Sequence, residues 1–284
     1  MTALPRAPRS ASEHSRRALI CVVGDVLASH WDAITLVGAH AVMLRTEGLD
    51  LSQGATGDGD LGITPELTSD VPAIGELMEA AGFQARSRVR PGLWGRGKRT
   101  LPEGRIVFDE QIDLITGSGL AGKLRSQQRS VPDLIERHGK MSVGNSPGLE
   151  LAAYDRSVMV LVDLVDPNRT AEVNVAGLAA LLCAKAFKLG ERLDDGGRRL
   201  RDKDAGDLLR LMKSSVAAEV AATFDTYTGH ERIGASVTIG RAYLGKVLAS
   251  PVIGRMAKDS YEGEIDPTEV EVDFERWAAV FTTG

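Results

Sequence analysis

Two hydrophobic periods alternate along the chain. Residues 34–37 form a short, largely apolar block ending at Gly38 and predict a strand; residues 39–47 then carry a helical pattern closed by Gly48, the usual residue just past a helix end. A strand is predicted over 61–64, running out of an acidic segment. A helix is predicted over 72–81, where Ile74, Leu77, Met78 and Ala81 recur at helical spacing before Gly82. From 83 to 116 the pattern is strand-like with Gly and Pro turns, and 149–165 contains two more short strands. After Asn174, Ala, Leu, Lys and Arg dominate. This predicts long helices to about Ala222, a glycine-containing helix over 239–253 and an acidic final segment bearing Trp277 and Phe281. Residues 1–15, rich in Ser, Ala, Arg and Pro, read as a flexible tail. The expected fold class is α/β (α+β): a core with a mixed sheet over 16–174 and a mostly helical C-terminal domain over 175–284.

Composition narrows the class. The 284 residues are 43% hydrophobic and 26% charged, enough for a sizeable core. No run approaches the ~20 apolar residues of a membrane span; the best, 18–28, is short and carries Asp25. Arg6, Arg9, Arg16 and Arg17 precede no long apolar region, so no secretory signal is expected, and Cys21 and Cys183 are too few and too distant for a disulfide framework. A cytoplasmic protein with no membrane partner is the expectation. The net charge of -5 argues against indiscriminate nucleic-acid coating, yet Arg86, Arg88, Arg90, Arg96, Lys98 and Arg99 lie together with no acid among them. They read either as a phosphate-holding segment or as a solvated hairpin.

The strongest chemical signal is Thr56-Gly57-Asp58-Gly59-Asp60-Leu61-Gly62-Ile63. On an extended chain, residues two apart point to one side, so Asp58 and Asp60 present paired carboxylates with open space between them. Like charges so placed repel unless a cation joins them, and Mg²⁺ on a nucleoside triphosphate is the natural occupant; a Gly/Asp turn is the structural alternative. Gly38 lies where a strand turns into a helix, where free backbone N–H groups hold anions. Asp113, on a later strand, could accept a proton if that strand pairs beside the first acidic one; otherwise it is a strand-end acid. In 175–193, Lys185 sits on the stripe of Leu178, Leu181, Leu182 and Leu189, facing a buried anion or snorkelling to solvent. Asp204 and Asp207 share a face with Leu208 and Leu211, as site acids, as favourable N-terminal charges or as partners for Arg192.

Competing motifs fare worse. An EF-hand starting at Asp58 would need Gly at 63 and Glu at 69, where Ile63 and Ser69 stand. Gly117-Ser118-Gly119-Leu120-Ala121-Gly122-Lys123 is followed by Leu124 rather than the hydroxyl residue of a phosphate-binding loop. Gly144-Asn145-Ser146-Pro147-Gly148 matches a hydrolase elbow, but Pro147 lacks the N–H that would serve the oxyanion. The five histidines show no metal-ligand spacing; only His40 lies near a site.

Taken in order, Val37-Gly38-Ala39-His40-Ala41, Thr56 to Leu61, Ile112-Asp113-Leu114, Lys185-x-x-Lys188-x-x-x-Arg192 and Lys203-Asp204-x-x-Asp207-Leu208 resemble the AbiE-type nucleotidyltransferase toxins, which include the MenT-like group. The resemblance covers residues 34–211. It implies a DNA polymerase β-like core that moves a nucleoside monophosphate from an NTP to the 3′ end of tRNA with Mg²⁺, blocking translation until a cognate antitoxin intervenes. By the same resemblance Asp58 and Asp60 bind the metal, with Lys185, Asp204 and Asp113 also catalytic. Gly38, Ala39, Thr56, Lys188 and Arg192 contact the nucleotide. The basic segment 86–99 is the candidate tRNA contact. Ala39 departs from the Gly or Ser common after the first glycine, and an insertion at 194–200 leaves Asp204 and Asp207 both eligible as the family acid. A small-molecule or protein acceptor, or silent NTP binding, are the alternatives.

Overall fold

The computed structural model describes residues 10–120 and 132–282. Helix α1 (Ala11–Cys21) opens the described chain and runs through a π-helical turn and a 3₁₀ stretch into strand β1 (Ile34–Val37) and helix α2 (Gly38–Arg45). Strand β2 (Gly59–Ile63), helix α3 (Ile74–Ala80) and strands β3 (Gln84–Ala85), β4 (Leu93–Thr100) and β5 (Ile106–Gly117) follow. Helix α4 (Pro132–His138) precedes β6 (Gly144–Ser146), β7 (Arg156–Val162) and β8 (Thr170–Ala176). The remainder is helical: α5 (Leu178–Asp194), α6 (Asp202–Lys213), α7 (Ala217–Thr228), α8 (Gly234–Leu248), α9 (Pro251–Ser260) and α10 (Pro267–Phe281).

The sheet is mixed, in the order β3-β4-β5-β2-β1-β8-β7, with β6 on β5. Its centre positions the acids. Strand β2 runs antiparallel to β1, placing Asp60 opposite Val37, and parallel to β5, placing Asp60 opposite Asp113. Strand β8 pairs parallel with β1 and hands the chain at Gly177 to α5, whose first turn is capped by Asp155 on the Ala180 N–H at 2.8 Å. One buried apolar cluster runs from Ala18 through Leu36, Leu61 and Leu114 to Leu182, Leu208 and Phe281, so the sheet half and the helical half share a core.

The mixed sheet followed by helices is as expected, with three differences. Residues 10–21 are not tail: Ser10 and Glu13 form a reciprocal capping box, and Ala18, Leu19 and Ile20 are buried. Residues 149–165 hold one strand, β7; the other expected strand is a 3₁₀ turn, Glu150–Ala153. The helix expected over 239–253 is two, because Pro251 has no N–H to continue α8 and instead starts α9 at its first position. No helix among the described residues is long and apolar enough to cross a membrane. Cys21 and Cys183 are unpaired.

Candidate active site

Strand alternation and register bring three carboxylates together. Asp58 precedes β2, Asp60 lies on it and Asp113 is its register partner on β5; one oxygen of each lies within 4.8 Å of the others. Among the described residues no side chain donates a hydrogen bond to Asp60. Burial, then the charges of Asp58 and Asp113, push its pKa up to about 7. Burial pushes Asp113 up to about 6, against the opposing charge of Arg86, which donates to its Oδ1. Three hard oxygen donors in one place, all half-buried and two with raised pKa, suit a divalent cation such as Mg²⁺.

Gly38 sits at the head of α2 with φ +66°, and a Cβ there would lie 2.0 Å from Oδ2 of Asp60. The absence of a side chain therefore makes room for the Asp60 carboxylate itself, beside a helix N-terminus whose N–H groups are without a side-chain cap. These residues open into a cavity of about 910 Å³. Val37, Gly38, Ala39, Thr56, Asp58, Asp60 and Asp113 line it on the sheet side, and Leu181, Lys185, Lys188, Asp204 and Asp207 on the helix side. The backbone of β6 completes the wall: Gly144, Asn145, Ser146 and Pro147, rejected above as a hydrolase elbow, line the same space.

Helices α5 and α6 exchange charges across their interface. Lys185 Nζ donates to Asp207 Oδ2 at 2.5 Å and lies 3.6 Å from Asp204, so Asp207 is its direct partner. Burial works against the Lys185 charge, but Asp207 and Asp204 outweigh it and raise its pKa. The Lys185 charge in turn acts on Asp60. Asp204 is 4% exposed and bound by Lys188 at 2.7 Å and Arg192 at 2.6 Å. Burial alone would raise its pKa; Lys185, Lys188 and Arg192 together hold it below the ordinary value. Asp204 is thus a paired counter-charge rather than a free acid.

Three expected contacts are placed as follows. Arg192 does not line the cavity; it stands behind Asp204. Thr56 lines the cavity, and its hydroxyl donates to Asp58, 3.2 Å from Oδ1 and 3.3 Å from the backbone oxygen. Half of the basic segment is neutralised by its own sheet. Arg96 binds Glu110 at 2.6 Å and Arg99 binds Asp109 at 2.5 Å, because β4 and β5 are antiparallel and place those acids alongside; Arg86, just past β3, binds Asp113 of β5. Arg88 and Lys98 are exposed, and neither lines the cavity; only Arg90 of the six does so. Residues missed at sequence level supply the other rim: Arg201 and Lys203, at the start of α6, line the cavity without a carboxylate partner among the described residues. Arg201 lies just past the insertion at 194–200 and Lys203 opens the helix motif; the sequence reading gives neither a role at the site. The glycine-rich run after β5 continues at 121–123, outside the described residues.

No family model matches this chain, and neither a curated protein nor a solved structure shows significant similarity to it.

Proposed function

We propose that this protein is a metal-dependent nucleotidyltransferase with a DNA polymerase β-like core, moving a nucleoside monophosphate from an NTP to an acceptor hydroxyl. The observation that carries the reading is the triad Asp58, Asp60 and Asp113, set on adjacent strands beside Gly38 and within electrostatic reach of Lys185. Asp58 and Asp60 would hold Mg²⁺, which when bound offsets charge on the phosphate oxygens and on the attacking oxygen. The α2 N-terminus at Gly38 and the ammonium groups of Lys185 and Lys188 would receive the triphosphate. In the reaction the acceptor oxygen bonds to the α-phosphorus, the bond to the β-phosphate oxygen breaks, pyrophosphate leaves and the acceptor proton passes to Asp113. Arg86, donating to Asp113, orients that carboxylate.

The acceptor favoured by the sequence resemblance is the 3′ end of tRNA, which would make the protein the toxin of a toxin–antitoxin pair. Cations unpaired with carboxylates and lining the cavity, Arg90, Arg201 and Lys203, provide for a phosphodiester chain. The test is incubation with each α-labelled NTP, Mg²⁺ and a tRNA pool. Label at the RNA 3′ end is expected, and Asp58→Ala should abolish it while leaving the unfolding temperature close to that of the parent. Label appearing only on a small molecule or protein overturns the tRNA acceptor. No label on any acceptor, with NTP bound, overturns the enzymatic reading.

A further inference from the structure

The segment expected to be a tail lies along the loop that carries Asp58. Ala11, Ser12, Ser15 and Leu19 of α1 all meet residues 56–59 of that loop. A Cβ on Gly57 would stand 3.9 Å from Ala11, and one on Gly59 would stand 2.5 Å from Leu19 Cγ, so only glycine at 59 lets α1 approach so closely. Between these two contacts, Thr56 is held at both backbone groups. Its N–H donates to Ser12 Oγ at 3.0 Å, and its carbonyl lies 3.2 Å from Ser15 Oγ.

Behind Ser15 is a directed chain of donors. Arg16 Nε–H donates to His40 Nδ1 at 3.1 Å, so the neutral His40 ring carries its proton on Nε2. That proton points to Ser15 Oγ, 2.8 Å away, leaving the serine hydroxyl to donate toward the Thr56 carbonyl and the Ser12 carbonyl, each at 3.2 Å. Ser15, Arg16, His40 and Thr56 are all buried. Thr56 passes the constraint on through its hydroxyl, 3.2 Å from Asp58 Oδ1.

We infer that α1 is the positioning element of the metal-binding loop: Ser12 and Ser15, with His40 behind them, act through Thr56 to fix the Asp58 carboxylate beside Asp60. None of the three touches the cation. The inference rests on reading Asp58 as a metal ligand and adds the shell that sets its affinity. Supporting hydrogen bonds of this kind govern metal affinity about tenfold or more when removed.

The experiment is Mn²⁺ binding to the full chain, followed by electron paramagnetic resonance without nucleotide, alongside thermal unfolding in chelator. Ser15→Ala and Ser12→Ala should each weaken Mn²⁺ binding, Ser15→Ala by about tenfold. His40→Gln, which keeps an N–H donor toward Ser15, should retain most of the affinity, and His40→Phe should lose as much as Ser15→Ala. Ser12→Ala, at a half-buried position, keeps the test valid should the buried variants fail to fold. Wild-type affinity in folded Ser12→Ala and Ser15→Ala, or His40→Gln no better than His40→Phe, overturns the positioning role. Wild-type protein that binds no Mn²⁺ at all overturns the metal site and this inference with it.

Discussion

Asp60 is a carboxylate placed where its charge is opposed from every side except that of Lys185 and Lys188. Its folded pKa, about 7, lies above the ordinary 3.8, so the folded chain binds its proton more tightly than the unfolded chain does. Stability from this group is therefore full below about pH 4 and falls as pH rises toward 7. In chelator, the unfolding temperature should drop across that window, and added Mg²⁺ should recover more at pH 8 than at pH 5. Asp60→Asn should unfold later than wild type at pH 8 in chelator, by an amount on the order of 2 kcal/mol, and gain nothing from Mg²⁺. Calorimetric scans at the two pH values check this; a wild-type curve insensitive to both pH and Mg²⁺ would contradict the clustered-carboxylate account.

At the scale of elements, the junction between β1 and α2 is the tightest point of the site. Gly38 combines a left-handed backbone with a Cβ position already occupied by the Asp60 carboxylate. Gly38→Ala is expected to cost roughly 1–2 kcal/mol in backbone strain. Because the methyl group must also push Asp60 away, Mn²⁺ affinity should fall further than stability does. A variant that loses stability alone, with metal binding intact, would place Asp60 outside the metal shell. The α5–α6 pair makes a different contribution: Lys185 with Asp207, and Lys188 and Arg192 with Asp204, fasten α6 to α5 beside the cavity, and the buried acids Asp204 and Asp207 must be kept paired.

Over the whole molecule, net charge is a poor guide to where a polyanion binds. The chain is acidic overall, and the sheet neutralises half of its densest basic segment: Arg86, Arg96 and Arg99. The cations that line the cavity without a carboxylate partner among the described residues are one member of that segment, Arg90, and two from the start of α6, Arg201 and Lys203. Reversing both charges, Arg201→Glu with Lys203→Glu, should weaken single-stranded RNA binding and reduce the salt slope by about 1.4, since each neutralised phosphate contributes ~0.7. The paired reversal Arg88→Glu with Lys98→Glu should leave that slope near the parent value. Filter binding over a salt series separates the two, and the opposite ranking would restore the β4 segment as the contact.

Local chemistry was readable directly. The i, i+2 spacing of Asp58 and Asp60, the strand-to-helix glycine at 38 and a lysine on the apolar stripe of α5 depend on neighbours a few residues away, and periodicity reports such neighbours. Even the start of α1, within the expected tail 1–15, is written locally, in the capping pair Ser10 and Glu13 ahead of Ala18, Leu19 and Ile20. The remaining features required the folded chain. Asp113 joins the site only because β5 pairs with β2 in one register, Asp207 rather than Asp204 takes Lys185 because of how α6 rotates against α5, and the basic segment is neutralised because β4 lies beside the acids of β5. Register and helix rotation are set by burial of the shared core, a property of residues far apart in sequence, and no local pattern encodes it.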